Sequence, residues 1–265
     1  MTSRLGTALV TGASSGIGAT YADRLARRGY DLILVARDAG RLGELAGKLA
    51  TAHGIKADVL RADLADRADV LKVEDRLRTD EAITLFVNNA GIGPVTSLLE
   101  SDVDYLDTMV ALNVTAANRL AVAAAQTFAK RRAGAIINTA SVVALAPQMF
   151  NGTYSATKAF VLSLTESLAA ELKDKNVRIQ AVLPGLTRTE IFDRVGRSFD
   201  GLDPEKVMDV TDLVDAALAG FDQGEIVTIP ALSDDGIWNA YLSARGALGP
   251  HLSLRKAAAR YGVSS

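Results

Sequence analysis

The stretch TALVTGASSGIG, residues 7–18, decides the fold of this chain. Thr7–Thr11 is a short apolar run typical of a buried strand, and the glycines that follow mark a tight turn before a helix from about Ser15 to Arg28. Such a turn lets the backbone approach a pyrophosphate, while the helix N-terminus offers N–H groups to the phosphates. The stretch therefore predicts a strand–turn–helix unit that binds a dinucleotide. The alternative is a purely structural turn, since the spacing is Gly-x-x-x-Gly-x-Gly instead of Gly-x-Gly-x-x-Gly.

Short apolar runs alternate with longer helical patterns along the rest of the chain. This alternation predicts an α/β fold, in which a doubly wound Rossmann-type parallel sheet of about seven strands carries helices on both faces. Ligands of such sheets bind at the carboxyl ends of the strands. The further predicted strands are Asp31–Ala36, Lys56–Ala62, Leu85–Asn88, Ala135–Thr139, Val177–Leu183 and Glu225–Ile229. The further predicted helices are one reaching about His53, then Arg67–Thr79, Val103–Arg132 and Thr153–Asp174.

We expect a single domain over residues 1–265, because no linker, repeat or low-complexity tract interrupts the alternation. Its cofactor half extends to about residue 140, and its catalytic and substrate half covers about 141–229. Two stretches break the pattern. Residues 191–210 have the composition of a flap over the cleft, and residues 230–265 form a C-terminal extension without a clear strand.

Composition excludes several classes of function. The chain has a net charge of −2, which points to neither a nucleic-acid nor an anionic-membrane partner. It has no cysteine, and its two histidines, His53 and His251, are far apart, so no metal site is expected. No signal-peptide pattern and no apolar run of about 18 residues is present. We therefore expect a soluble cytoplasmic protein.

Ser141, Tyr154 and Lys158 are candidates for an acid–base unit. Tyr154 and Lys158 are four residues apart and share one face of a predicted helix. An adjacent ammonium favours phenolate and is expected to lower the tyrosine pKa from about 10 towards neutrality. A proton donor tuned in this way suits carbonyl reduction or alcohol oxidation. Taken alone, the pair could equally be a solvated helix face.

The end of the second predicted strand carries information on nucleotide specificity. An acidic residue at this point would bind the 2′-hydroxyl of NAD, whereas this chain has Ala36-Arg37. A guanidinium suits the 2′-phosphate of NADP, so NADP(H) is preferred. Asp38, next to Arg37, is an acidic residue of the kind that binds the 2′-hydroxyl of NAD, so NAD(H) stays possible.

Further polar and glycine motifs follow the later strands. They are Asp63-Leu64, Asn88-Asn89-Ala90-Gly91 and Pro184-Gly185-Leu186-Thr187-Arg188-Thr189. Because each follows a strand, all three can reach one cleft with the glycine turn. Asn113 lies within a predicted helix and is assigned to a buried polar relay.

Together these residues resemble the short-chain dehydrogenase/reductase family. The resemblance extends in order from about residue 7 to 190. It rests on Thr11-Gly12-x-x-x-Gly16-x-Gly18, Asn88–Gly91, Asn113, Ser141, Tyr154-x-x-x-Lys158 and Pro184-Gly185-x-x-x-Thr189. One departure is that many NADP-preferring members carry a basic residue in the glycine turn, where this chain has Ser14-Ser15.

The resemblance implies a role for each residue. Tyr154 would be the general acid or base, Lys158 would lower its pKa and hold the nicotinamide ribose, Ser141 would bind the substrate oxygen, and Asn113 would anchor a relay water. The implied cofactor-binding residues are Gly12, Ser14, Ser15, Gly16, Ile17, Gly18, Arg37, Asp63, Leu64, Asn89, Ala90, Gly91, Tyr154, Lys158, Pro184, Gly185, Thr187 and Thr189. The substrate-facing candidates are Ser141, Val143, Met149, Tyr154, Leu186 and Phe192, mostly apolar.

The predicted function is hydride transfer between NADP(H) and a carbonyl or secondary alcohol. Two alternatives stay open: a non-catalytic NADP-binding regulatory protein and a methyltransferase with a similar glycine turn. The family also implies a homodimer or homotetramer paired through the helices near 103–132 and 153–174. Small residues that would allow close packing there are Ala116, Ala117, Ala121, Ala156, Ala159 and Ser163.

Overall fold

The fold is built on a seven-stranded sheet in which every strand is parallel to its neighbours. The structure, a computed structural model, describes residues 5–188 and 203–263, without the side chain of Met149. The strand order is β3-β2-β1-β4-β5-β6-β7, which confirms the predicted doubly wound sheet. The strands are β1 (Thr7–Thr11), β2 (Asp31–Ala36), β3 (Ala57–Arg61), β4 (Ile83–Asn88), β5 (Gly134–Thr139), β6 (Val177–Val182) and β7 (Val227–Thr228).

Helices connect the strands and cover both faces of the sheet. They are α1 (Gly16–Arg27), α2 (Ala39–His53), α3 (Arg67–Thr79), α4 (Val103–Val110), α5 (Ala117–Arg131), α6 (Gly152–Leu172) and α7 (Val210–Gln223). A further helix, α8 (Asp235–Gly246), follows the last strand. A π-helical segment, Ala111–Ala116, joins α4 to α5. The predicted helix over Val103–Arg132 therefore contains a change of helical pitch.

Two hydrophobic layers hold the helices to the sheet. Side chains alternate along each strand, so Ala8 and Val10 pack with α1, α2 and α7, while Leu9 packs with α3, α5 and α6. In β2 the same alternation places Leu32 and Leu34 in the first of these layers and Ile33 in the second. This two-sided burial explains why the inner strands are apolar throughout.

Helix α7 was missing from the sequence-based prediction. Asp209 caps its start by accepting a hydrogen bond from the Thr211 N–H at 2.8 Å, and Gly224 ends it in the left-handed conformation. Leu213, Ala217 and Phe221 are buried at helical spacing. These capping and periodicity signals were present in the sequence, so the helix could have been predicted.

By length and composition alone, the continuous helical segment Val103–Arg131 could cross a membrane. Half of its most apolar window is buried inside the protein. Leu120, Ala124 and Phe128 pack in the layer between the sheet and α3, which accounts for the apolar composition of this segment.

The chain forms two compact units, Met1–Pro230 and Ala231–Ser265, each with most of its contacts inside itself. The first contains the sheet. In the second, α8 carries Trp238 and Tyr241, whose rings stack with centroids 5.1 Å apart. The expectation of one domain over the whole chain stays a prediction.

Candidate active site

A cavity of about 830 Å³ lies at the carboxyl ends of the central strands. The glycine turn after β1 and the residues after β2 and β3 line one part of it, and Ser141, Tyr154 and Lys158 line another. The predicted site residues that line the cavity are Gly12, Ser14, Ser15, Gly16, Ile17, Arg37, Asp63, Leu64, Asn89, Ala90, Gly91, Ser141, Val143, Tyr154, Lys158, Pro184, Gly185, Leu186 and Thr187. The fold thus brings together motifs that are far apart in sequence.

Close backbone packing explains the glycines of the turn. Gly12 has a φ of +67°, and a Cβ there would come within 2.9 Å of the Asn89 side-chain nitrogen. A Cβ on Gly18 would collide with the Gly12 carbonyl oxygen. Gly18 is absent from the cavity lining, so its place is in helix–turn packing. Thr11 Oγ1 accepts the N–H groups of Asn89 and Ala90 at 2.9 and 3.1 Å, which ties the turn to the loop after β4.

Charged side chains surround the part of the cavity that follows β2. Arg37, Asp38 and Arg41 all line it. Asp38 caps α2 by accepting the Arg41 N–H at 3.0 Å, and its other carboxylate oxygen lies 3.6 Å from Arg41 Nε. The Asp38 carboxylate is thus engaged with its own helix. Arg41 was missed in the sequence analysis, although its place in the first turn of α2, four residues after Arg37, was a usable signal.

Ser141 lies directly after β5, where it begins a short 3₁₀ turn, Val142–Ala144. Its hydroxyl donates to the Pro184 carbonyl at 3.2 Å and accepts the Val143 N–H at 3.4 Å. It also lies close enough to the Tyr154 phenol to lower the pKa of that group. These contacts hold the Ser141 oxygen at the cavity wall beside the phenol.

Tyr154 and Lys158 occupy the first two turns of α6, where Lys158 is buried and Tyr154 is partly buried. Lys158 Nζ lies 5.8 Å from the centroid of the Tyr154 ring and donates to the Thr139 carbonyl at 2.9 Å. Desolvation by burial raises the pKa of Tyr154 to about 12, partly opposed by the nearby Ser141 hydroxyl. Burial also lowers the pKa of Lys158 to about 8. The expected lowering of the Tyr154 pKa was wrong in direction, because desolvation disfavours phenolate more than its neighbours favour it.

Asn113 lies behind the cavity lining, in the π-helical segment. Its Oδ1 accepts the Ile92 N–H at 2.9 Å, and its Nδ2 donates to the Ile92 carbonyl at 2.9 Å and to Thr157 Oγ1 at 3.2 Å. A Cβ on Gly91 would lie 3.1 Å from Asn113 Oδ1 and 3.6 Å from Lys158 Nζ. Gly91 therefore keeps the space between the amide and the ammonium free of a side chain.

A model of the short chain dehydrogenase family matches residues 6–198, well over half of the chain. The chain belongs to this family. It is therefore an oxidoreductase of the short-chain dehydrogenase/reductase type, and the resemblance inferred from the motifs is confirmed.

Solved structures of the family cover nearly the whole chain. A short-chain dehydrogenase from Sphingobium yanoikuyae in complex with NADPH is 47% identical, with a TM-score of 0.93, and the match covers 97% of this chain and 100% of that chain. A bulky-bulky ketone specific alcohol dehydrogenase from Comamonas testosteroni is 46% identical, with a TM-score of 0.90, and the match covers 98% and 99% of the two chains.

A more distant relative is larger than this chain. A very-long-chain 3-oxoacyl-CoA reductase of Anas platyrhynchos is 33% identical over 205 residues, which are 75% of this chain and 65% of that reductase. The chain spans just under two thirds of the length of that relative.

Apolar side chains form the remaining wall of the cavity in this short-chain dehydrogenase. Val143 and Leu186 were predicted there, and Phe150, 40% exposed, belongs to the same wall. Ile92 and Pro94, from the loop after β4, were not predicted because nothing in their local pattern distinguishes them from packing residues. The side chain of Met149, and the whole of Thr189 and Phe192, lie outside the described residues.

Proposed function

We propose that the protein transfers a hydride between NADP(H) and a carbonyl or secondary alcohol, with Tyr154 as the general acid or base. One observation carries the proposal: a single cavity is lined both by the glycine turn with Arg37 and by Ser141, Tyr154 and Lys158. The first set suits the phosphates of a dinucleotide, and the second suits proton transfer at a reacting oxygen.

The residues after β1 and β2 fit a phosphorylated dinucleotide. Gly12 lets the backbone approach the pyrophosphate, which would lie at the N-terminus of α1. Arg37 and Arg41 would hold the 2′-phosphate of the adenosine ribose. Asp38 is engaged with Arg41 and the start of α2, which disfavours its use as a ligand of an NAD ribose. The NADPH complex of the Sphingobium yanoikuyae dehydrogenase supports the same preference.

Further contacts with the cofactor come from the ends of β3, β4 and β6. Asp63 and Leu64 would flank the adenine, and the loop from Asn89 to Gly91 would lie beneath the nucleotide. The segment Pro184–Thr187 would bind the carboxamide. Thr189 is proposed for the same role from its motif alone.

NADPH, when bound, supplies the hydride of the reduction. Tyr154 and Ser141 would both hydrogen-bond the substrate oxygen. As the carbonyl is reduced, the Tyr154 O–H donates its proton to that oxygen, and Ser141 stabilises the negative charge developing there. In the oxidation direction Tyr154, as phenolate, accepts the hydroxyl proton.

Lys158 has two proposed duties. Its ammonium would hold the hydroxyls of the nicotinamide ribose and would stabilise the Tyr154 phenolate left after proton donation. A proton would then return through Lys158 and a water beside Asn113, in the space that Gly91 keeps clear of side chains.

The apolar wall favours a ketone with large hydrophobic substituents on both sides. Val143, Phe150 and Leu186 would contact those substituents. The likeness to a bulky-bulky ketone specific alcohol dehydrogenase, 46% identical, supports this substrate class. Met149 and Phe192 remain proposed substrate contacts on the sequence alone.

Self-association is proposed through α6. Ala116, Ala117 and Ala121 are buried within their own chain, so the small residues of the π-helical segment and α5 serve internal packing. Along α6, Ala156 and Ser163 are exposed, and Phe160 between them is 37% exposed. This face would pair with the same face of a second copy to give a dimer or tetramer. The cytoplasmic location expected from the sequence stays a prediction.

The test is cofactor oxidation with a graded series of ketones. NADPH and NADH binding are first titrated by nicotinamide fluorescence, and turnover is then followed from small methyl ketones to ketones with two large substituents. We expect tighter binding of NADPH and the highest kcat/KM with the bulky ketones. NADPH binding without turnover of any ketone would instead favour the regulatory alternative.

A further inference from the structure

Asn151 links the helix that carries Tyr154 to the loop between β4 and α4. It is the N-cap residue of α6 and is only 8% exposed. Its Oδ1 accepts the N–H groups of Thr153 at 3.1 Å and of Tyr154 itself at 3.3 Å. The cap therefore acts directly on the backbone of the proposed acid.

The other half of the same amide binds the loop. Asn151 Nδ2 donates to the Thr96 carbonyl at 3.3 Å and to Ser101 Oγ at 3.2 Å. Ser101 Oγ in turn donates to the Ser97 carbonyl at 2.8 Å and lies 3.2 Å from Thr96 Oγ1. Both donors and the acceptor of the amide are thus engaged, and a buried amide satisfied in this way fixes its neighbours in one arrangement.

Van der Waals packing supports the same connection. A Cβ on Gly152 would lie 3.1 Å from a terminal carbon of Leu98, so the loop lies tightly against the first turn of α6. The two segments joined here also contribute residues to the lining of the cavity, with Ile92 and Pro94 from the loop and Phe150 beside the cap. A change in one segment would therefore be transmitted to the other.

We propose that Asn151 is a positioning residue for Tyr154, which it holds against the substrate-facing loop after β4. This inference rests on the proposed function, because Tyr154 must be the acid or base for its position to affect turnover. The Asn151 Oδ1 atom, as hydrogen-bond acceptor, fixes the position of the Tyr154 phenol through the backbone of α6. The two donor hydrogens fix the cavity wall that the substrate contacts.

The two halves of the amide can be separated by substitution. Asn151→Ala removes both the cap and the loop contacts. Asn151→Ser keeps a side-chain oxygen that can cap the helix but loses the Nδ2 donors. Ser101→Ala leaves the cap intact and weakens the loop side alone. As a matched control, Asp66→Ala removes the exposed N-cap of α3, where Asp66 Oδ1 accepts the Asp69 N–H at 3.1 Å.

The kinetic readout is kcat and KM for NADPH-dependent reduction of a bulky ketone, measured well below each variant's melting temperature. A displaced catalytic group loses rate steeply, so Asn151→Ala should lower kcat at least about tenfold with NADPH affinity unchanged. Asn151→Ser should restore most of kcat while KM stays raised, and Ser101→Ala should raise KM alone. The Asp66→Ala control should lose stability and keep kcat.

A second readout is independent of turnover. Phenolate formation at Tyr154 can be followed by ultraviolet absorbance, as the difference between each protein and its Tyr154→Phe derivative. In the wild type this ionisation requires high pH, because burial raises the pKa of Tyr154 to about 12. If Asn151 holds the ring in its partly buried position, Asn151→Ala should expose the ring and move the ionisation to lower pH, and Asn151→Ser should return it towards that of the wild type.

The outcomes distinguish the two proposals. A wild-type protein that turns over no ketone refutes the proposed function, and the ultraviolet titration still tests whether Asn151 positions Tyr154. Unchanged kcat and unchanged phenolate titration in Asn151→Ala would overturn the positioning role. If Asn151→Ala does not fold, wild-type KM in both Asn151→Ser and Ser101→Ala would overturn it equally.

Discussion

Lys158 Nζ lies 5.8 Å from the centre of the Tyr154 ring and donates a hydrogen bond to the Thr139 carbonyl at 2.9 Å. Lys158 is buried and Tyr154 is partly buried, and desolvation shifts their pKa values in opposite directions: to about 12 for Tyr154 and to about 8 for Lys158. At neutral pH Tyr154 is therefore a phenol and Lys158 an ammonium. This is the pair of protonation states that carbonyl reduction requires of an acid and its supporting cation.

The pKa of Tyr154 predicts opposite pH dependences for the two reaction directions. Alcohol oxidation needs the phenolate, whose fraction grows about tenfold per pH unit below the pKa, so kcat/KM for oxidation should rise steeply from pH 6 to 8. Reduction needs the phenol, which predominates throughout that range, so its kcat/KM should stay nearly flat. Initial rates in both directions in one buffer series check this. A flat oxidation profile would contradict Tyr154 as the base.

Lys158→Met should abolish activity and yet stabilise the protein free of cofactor at pH 7. Lys158 is 6% exposed, and burial lowers its pKa from 10.5 to about 8, so the folded state disfavours the charged form. That shift corresponds to a free-energy cost on the order of 3 kcal/mol when both states are protonated.

The same shift fixes the sign of the pH effect. Between about pH 8 and 10.5 the unfolded lysine keeps a proton that the folded one has lost, so wild-type stability rises with pH through this window. Below pH 8 both states hold the proton, so this gain in the free energy of unfolding is absent. Denaturant unfolding at pH 7 and pH 9.5 should show the rise in the wild type and not in Lys158→Met. A variant less stable than the wild type at pH 7 would contradict the buried-charge interpretation.

The sequence predicted the structure correctly where a local pattern determines a local structure. The strand and turn over residues 7–18 were predicted because buried strands and glycine turns have short-range signals. The pKa of Tyr154 could not be predicted in the same way, because the spacing to Lys158 shows proximity and does not show burial. The roles of Ile92, Pro94 and Asn151 depend on the meeting of segments about fifty residues or more apart, a tertiary fact with no local pattern.

Arg37→Ser should weaken NADPH binding and leave NADH binding nearly unchanged. Loss of charge-assisted hydrogen bonds to a phosphate costs about 1.5–3 kcal/mol, which corresponds to roughly tenfold to a hundredfold in Kd. Arg41→Ser should act in the same direction, and it also removes the ion pair between Arg41 and the Asp38 carboxylate. Lys48→Ser, on the exposed side of α2, removes a positive charge from the same helix away from the cavity and should change neither affinity. Equal weakening of both nucleotides in Arg37→Ser would exclude a 2′-phosphate contact.

Phe160→Glu should separate the oligomer into smaller species. Phe160 is 37% exposed on α6 between Ala156 and Ser163, so a carboxylate there would be buried against its symmetry mate in the proposed interface. Leu71→Glu, at a 40% exposed position on α3, is the matched control and should leave the mass unchanged. Sedimentation velocity measures the mass of each of the two variants. A wild-type protein that sediments only as a monomer would reject association through this face.

Tyr154→Phe tests most directly whether the Tyr154 hydroxyl transfers the proton at the substrate oxygen. Tyr30→Phe, which removes a hydroxyl just before β2 at the opposite end of the sheet from the cavity, is the control. Single-turnover oxidation of bound NADPH by a bulky ketone should slow by about 10²–10⁴-fold in Tyr154→Phe, the usual contribution of a general acid, with NADPH affinity preserved. Tyr30→Phe should match the wild type. Wild-type turnover in Tyr154→Phe would contradict the account.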